Sequence, residues 1–177
     1  VTAEHGESIV LIGMPGVGKS TVGVLLAKEL AREFVDTDLM IQTREGKTLQ
    51  DIVYETDFQH LRALEEAEVL ALNSDRHVIA TGGSVVYSDR AMQRLKALGQ
   101  VVFLDLDFNT LQGRIENFST RGIASPANQN LDEIYTERLP LYRRYADITI
   151  DCRGKELPQV VAEIIYEEGG QYADIDA

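Results

Sequence analysis

The residues richest in chemistry lie near the start of the chain. Gly13-Met14-Pro15-Gly16-Val17-Gly18-Lys19-Ser20 fits the spacing G-x-x-x-x-G-K-[ST], a loop whose backbone N–H groups cradle nucleotide phosphates. Gly13 and Gly18 let the main chain bend tightly and approach the phosphates without a Cβ in the way. Lys19 brings a point charge to the β- and γ-phosphates, and the Ser20 hydroxyl is placed to ligate Mg²⁺. The apolar run Ile9-Val10-Leu11-Ile12 precedes the loop and a helix-like segment, Thr21 to Arg32, follows it. That strand–loop–helix context is what the motif requires, and the helix aims its positive end at the same anion. The predicted chemistry is binding of ATP or GTP.

Further along, several residues have the types needed on an acceptor side. Asp36 and Asp38 are two apart at the end of a short apolar run, so on a strand both side chains point one way. One carboxylate suits Mg²⁺ held through water; the other suits a substrate hydroxyl aimed at the γ-phosphate. Asp before a helical segment is also a common N-cap, and for Asp38 both readings hold. Thr81-Gly82-Gly83-Ser84 follows another apolar run; its paired glycines expose amides suited to an anion, or form a plain turn. Arg62 and Arg138 fall on helical stretches, where solvated or salt-bridging arginines are usual. Arg121 falls in a polar stretch, Asn117 to Asn130, where it would reach over a nucleotide as part of a lid or lie in a surface insertion.

These residues need a scaffold that gathers them, and the pattern supplies one. Strand-like and helix-like segments alternate, which favours a parallel sheet covered on both faces. Strands are expected at Ile9–Ile12, Phe34-Val35, His77–Ala80, Val101–Leu104 and Asp147–Asp151. Helices are expected over Thr21–Arg32, Leu49–Tyr54, Phe58–Leu72, Arg90–Leu98, Leu111–Ile115, Leu131–Tyr145 and around Val160–Ile165. The tail from Gly169 to Ala177 reads as polar and frayed.

Composition narrows the function classes. The 177 residues suit one domain with a buried core, and no apolar run approaches membrane-spanning length. A net charge of −12 argues against nucleic-acid or anionic-membrane partners and makes any arginine cluster more telling. Cys152 is the sole cysteine and reads as a small buried side chain, which fits a reducing cytoplasm. Val1 to Glu7 lacks the basic and apolar regions of a signal peptide.

Taken together, the motifs resemble those of the shikimate kinase family, small members of the P-loop kinases, over Ile9 to about Lys155. Phe34-Val35-Asp36-Thr37-Asp38 is similar to the family's F-x-D-x-D, and Arg62 with Glu65 to its R-x-x-E. Val78 to Gly83 resembles the strand that ends in T-G-G-G, and Glu137-Arg138-Leu139-Pro140-Leu141-Tyr142 with Ala146-Asp147 the E-R-x-P-L-Y…A-D block. The resemblance implies a P-loop NTPase three-layer α/β fold: a five-stranded parallel sheet in order 2-3-1-4-5, helices on both faces and a lid near residues 117–130.

The implied activity is ATP-dependent phosphorylation of the 3-hydroxyl of shikimate with Mg²⁺, by a single-domain monomer. Gly13, Gly16, Gly18, Lys19, Ser20, Thr21, Arg121 and Lys155 would bind the nucleotide, and Ser20 and Asp36 the metal. Asp38, Arg62, Gly82, Gly83 and Arg138 would hold the substrate, with Lys19, Asp38 and Arg121 catalytic. The chain departs from the family at Ser84, where the third glycine stands, and at Arg121-Gly122-Ile123-Ala124 in place of R-P-L-L. Lys155 takes the place of a late adenine-side arginine, with Arg153 nearby. Two rival readings fit the same loop: a kinase for another hydroxylated acid such as gluconate, and a nucleotide-binding regulatory module without turnover.

Overall fold

The apolar runs of the sequence become the strands of one sheet. The computed structural model describes residues 7–115 and 122–173. Strands β1 (Ser8–Ile12), β2 (Phe34–Asp36), β3 (Val78–Ala80), β4 (Gly99–Asp105) and β5 (Ile148–Asp151) lie in the order β2-β3-β1-β4-β5. Each neighbouring pair is parallel, and Ile9 stands between Val78 on one side and Gln100 on the other. In β1, Ile9, Val10, Leu11 and Ile12 are all fully buried, as expected of a strand covered on both faces. The parallel connections are made by helices α1 (Lys19–Leu30), α2 (Thr37–Glu45), α3 (Leu49–Glu55), α4 (Phe58–Ala71), α5 (Asp89–Leu98), α6 (Phe108–Arg114), α7 (Leu131–Tyr145) and α8 (Leu157–Ala173). The sheet order and the layering are those expected from the sequence.

Two clusters of buried side chains divide the labour. The larger surrounds the sheet and includes Leu11, Ile79, Phe103, Tyr142 and Ile164. The smaller, formed by Ile41, Ile52, Leu61 and Ala124, ties α2, α3 and α4 to the segment that follows residue 121. The first cluster fixes the carboxyl ends of β1, β2 and β3 beside one another. The second fixes the helices that carry the acceptor-side residues.

Several elements differ from expectation. Helix α2 was not anticipated: its apolar residues Leu39, Met40 and Ile41 are consecutive rather than periodic, and Leu39 is 59% exposed. What starts it is a cap, the Asp36 carboxylate accepting from Leu39 N–H at 3.1 Å. The cap is therefore Asp36 and not Asp38, and the two aspartates do not share one side of a strand. Gly99 begins β4 instead of linking to it, and α6 starts at Phe108 behind an Asp107 cap. Helix α8 continues through Gly169 to Ala173, so the tail is helical further than its polarity suggested. Among the described residues no helix is long and apolar enough to cross a membrane.

Candidate active site

The phosphate loop is built to leave donors open. Gly13, Gly16 and Gly18 have φ of 149°, 85° and 106°. Gly18 is the N-cap of α1, and no side chain caps that end, so first-turn amides are available to an anion. Lys19 is 8% exposed and its ammonium lies back over the loop, donating to Gly13 O at 2.7 Å and Met14 O at 3.0 Å. Burial pushes the Lys19 ammonium down to about 8. Ser20 Oγ donates to Asp36 Oδ2 at 2.5 Å, so hydroxyl and carboxylate stand together at the lip of the loop.

Across the loop lies a pair of buried carboxyl groups. Asp38, in the first turn of α2, has Oδ1 buried with no hydrogen-bond partner. Burial pushes its carboxyl up to about 6, against the pull of Lys19. Glu65 on α4 is 5% exposed, and burial pushes it up to about 8, with the neighbouring Asp38 acting in the same direction. The two meet over Gly82: a Cβ there would run into Glu65 Oε1 and stand 2.7 Å from Asp38 Oδ1. Only glycine leaves room for both. Ser84 Oγ donates to Glu65 Oε2. The Gly82 amide is committed to Thr37 Oγ1 at 3.2 Å, so the expectation of two open glycine amides is corrected at Gly82. The Gly83 backbone lines the cavity, where a Cβ would sit 2.8 Å from Pro15 Cδ and 3.1 Å from Arg138 Nη1.

The arginines are held by a shared acceptor. Arg62 Nε and Arg138 Nη2 each donate to the Ala124 carbonyl at 3.1 Å. The Arg62 guanidinium lies 3.8 Å from the Tyr87 ring centroid and Arg138 5.4 Å from the same centroid, so one aromatic ring supports both cations. Arg138 is 1% exposed and its Nε is buried without a partner. It is not the solvated helix arginine that spacing alone would suggest. Tyr142, one turn along α7, donates to Gly83 O at 2.5 Å and stacks on Phe103 at 5.2 Å between centroids. That contact fastens α7 to the glycine turn.

The root of the expected lid is docked. Gly122 has φ of 61° and donates its N–H to Gln50 Oε1 at 2.8 Å. A Cβ at Gly122 would run into the backbone of Leu49 and Gln50. The left-handed φ and the close approach together explain why glycine stands where the family has proline. Residues 116–121, and with them Arg121, lie outside the described residues. Lys155 pairs with Glu163 at the start of α8 and does not line the central cavity.

One cavity of about 420 Å³ brings the pieces together, lined among others by Gly16, Gly18, Lys19, Ser20, Thr21, Asp38, Gly83 and Arg138. Gly13, Asp36, Arg62 and Gly82 stand behind that lining and act on it through their contacts. Glu65, Tyr87 and Ala124 were not anticipated as site residues; of these only Glu65 carried a signal, its spacing from Arg62. Arg114 was also missed, and its Nη1 donates to Val17 O of the phosphate loop at 3.3 Å. Among the described residues no cluster of three or more His, Cys, Asp or Glu could hold a metal, so a cation here would rely on few protein ligands.

A phosphate loop facing an unpaired buried carboxylate defines a phosphotransferase of the P-loop class. The shikimate kinase family model matches residues 15–167. A shikimate kinase of Thermodesulfovibrio yellowstonii is 37% identical over 165 residues, covering 92% of this chain and 94% of its own. One from Sulfurihydrogenibium is 34% identical over 160 residues, covering 90% and 96%. The solved structure of shikimate kinase from Acinetobacter baumannii in complex with shikimate superposes with a TM-score of 0.83 at 30% identity, covering 92% of each chain. The chain belongs to the shikimate kinase family.

Proposed function

We propose that this protein transfers the γ-phosphoryl group of ATP to the 3-hydroxyl of shikimate. The observation that carries the reading is a pair of unsatisfied buried atoms, Asp38 Oδ1 and Arg138 Nε, in residues lining one cavity with the phosphate loop. A lone acceptor and a lone donor cost stability unless a ligand completes them. A molecule carrying both a hydroxyl and a carboxylate does so. Bidentate guanidinium recognition suits the acid end, with Arg62 and Arg138 held in place by Ala124 and Tyr87.

In this reading the substrate hydroxyl faces Asp38, whose carboxyl is pushed up to about 6 and is ionised at neutral pH. Asp38 takes the hydroxyl proton as the new O–P bond forms and the bond to the ADP oxygen breaks. Lys19 exchanges its two carbonyl partners for phosphate oxygens and follows the charge. Ser20 Oγ and the Asp36 carboxylate supply an oxygen pair of the kind Mg²⁺ prefers. When bound, the ion neutralises charge on the β- and γ-phosphates. Arg121, in the lid proposed for residues 117–130, is assigned to the nucleotide, and lid closure excludes water that would otherwise hydrolyse ATP. Lys155 is assigned to the adenine side. We place the enzyme in the cytoplasm as a single-domain monomer.

ADP release is the test, with ATP, Mg²⁺ and a panel of shikimate, gluconate and related hydroxy acids. Turnover with shikimate at a rate well above the others is expected; turnover with gluconate alone would overturn the substrate. Asp38→Asn should lower kcat by about 10²–10⁴-fold while the ATP dissociation constant stays within about twofold of wild type.

A further inference from the structure

Ser84 is the one position in the glycine turn where this chain carries a side chain that the family pattern lacks. Its backbone does not ask for glycine: φ is −95° and ψ 0°, open to any residue. The side chain is 3% exposed, lines the cavity and donates its hydroxyl to Glu65 Oε2. Glu65 therefore has one oxygen tied to the glycine turn. Its other oxygen, Oε1, lies over Gly82 next to the unpartnered Asp38 Oδ1. Among the described residues neither Arg62, three positions earlier on α4, nor Arg138 forms an ion pair with Glu65, although Arg62 is at the spacing where helix pairs form. The hydroxyl holds the glutamate toward the aspartate.

We propose that Ser84 is a positioning residue for substrate recognition: it fixes Glu65 so that the Glu65 and Asp38 carboxyl groups stand side by side and each contacts one of two neighbouring hydroxyls of the acceptor molecule. The inference rests on the function proposed above and deepens it. Asp38 faces the hydroxyl that reacts, and Glu65, through Ser84, faces the hydroxyl beside it. A vicinal diol fits this pair, and a single alcohol leaves Glu65 Oε1 unused. Without the Ser84 hydroxyl, Glu65 is free to turn along α4 toward Arg62, and the contact with the second hydroxyl is lost.

The experiment compares wild type with Ser84→Ala and Ser84→Gly, the latter restoring the family residue. With shikimate, KM should rise about fivefold in both variants, the size of one hydrogen bond, while kcat and the KM for ATP stay within about twofold. With 4-deoxyshikimate, which lacks the hydroxyl next to the reacting one, wild type and both variants should give the same KM. An unchanged KM for shikimate, or an equal rise for the deoxy compound, would overturn the proposal. A readout without substrate separates this from failure of the functional reading. The Glu65 carboxyl band, identified in infrared spectra by its loss in Glu65→Gln, should move to higher wavenumber in Ser84→Ala; a band that does not move sinks the proposal even if shikimate is not the acceptor.

Discussion

Glu65 shows how burial sets chemistry at a single residue. An acid in water ionises near 4.5, whereas burial with Asp38 beside it raises Glu65 to about 8. Between those values the native state holds a proton that the unfolded chain has lost, so this residue lowers stability as pH rises, and the loss levels off above 8. Glu65→Gln keeps an acceptor for Ser84 and removes the titration. Its stability relative to wild type should therefore climb from pH 5 to pH 8 by on the order of 1–2 kcal/mol and then stay flat. Denaturant midpoints across that range give the answer, and a difference independent of pH would show that Glu65 ionises normally. Neither this shift nor the orphaned Asp38 oxygen was legible in the sequence, because both come from what α2, α4 and the glycine turn enclose. The residue types were legible; their burial was not.

Elements carry the next set of consequences, and α2 is the instructive one. The phosphate loop was readable because its glycines, lysine and serine act locally, through the turn they make. Helix α2 was hidden because its start depends on one cap and its packing on Ile41 against α3 and α4. Asp36 serves both the cap and Ser20, and two substitutions separate these tasks. Asp36→Asn should retain the cap and melt within about 1 °C of wild type, yet need more Mg²⁺ for half-maximal rate. Asp36→Ala should lose about 1 kcal/mol as well, read as a fall of about 3 °C in Tm. In the segment after residue 121, Gly122→Ala places a side chain at positive φ against the α3 backbone. A loss of about 2 kcal/mol and about 6 °C in Tm is expected, with a raised KM for the acid because the Ala124 carbonyl no longer steadies both arginines. A Tm equal to wild type would show that the segment does not need its docked position.

At the scale of the whole molecule, a net charge of −12 surrounds a site meant for anions. The fold resolves this by local concentration: Lys19 from α1 and Arg138 from α7 line one cavity, Arg62 on α4 stands behind it, and the two arginines share one carbonyl and one aromatic ring. The sheet order makes that possible by placing the ends of β1, β2 and β3 side by side. Lys19 adds a property of the molecule as a thermodynamic system. Folded back on Gly13 and Met14 with an ammonium near 8, it is partly uncharged in mildly alkaline solution. Phosphate contact restores the charge, so nucleotide binding draws a proton from solution. Calorimetric titrations with ATP at pH 8, run in buffers of different ionisation enthalpy, should differ by a fraction of one proton per site, and at pH 6.5 this contribution from Lys19 should vanish. The resting loop is thus a proton-linked receptor, whose apparent affinity for nucleotide weakens as the medium turns alkaline.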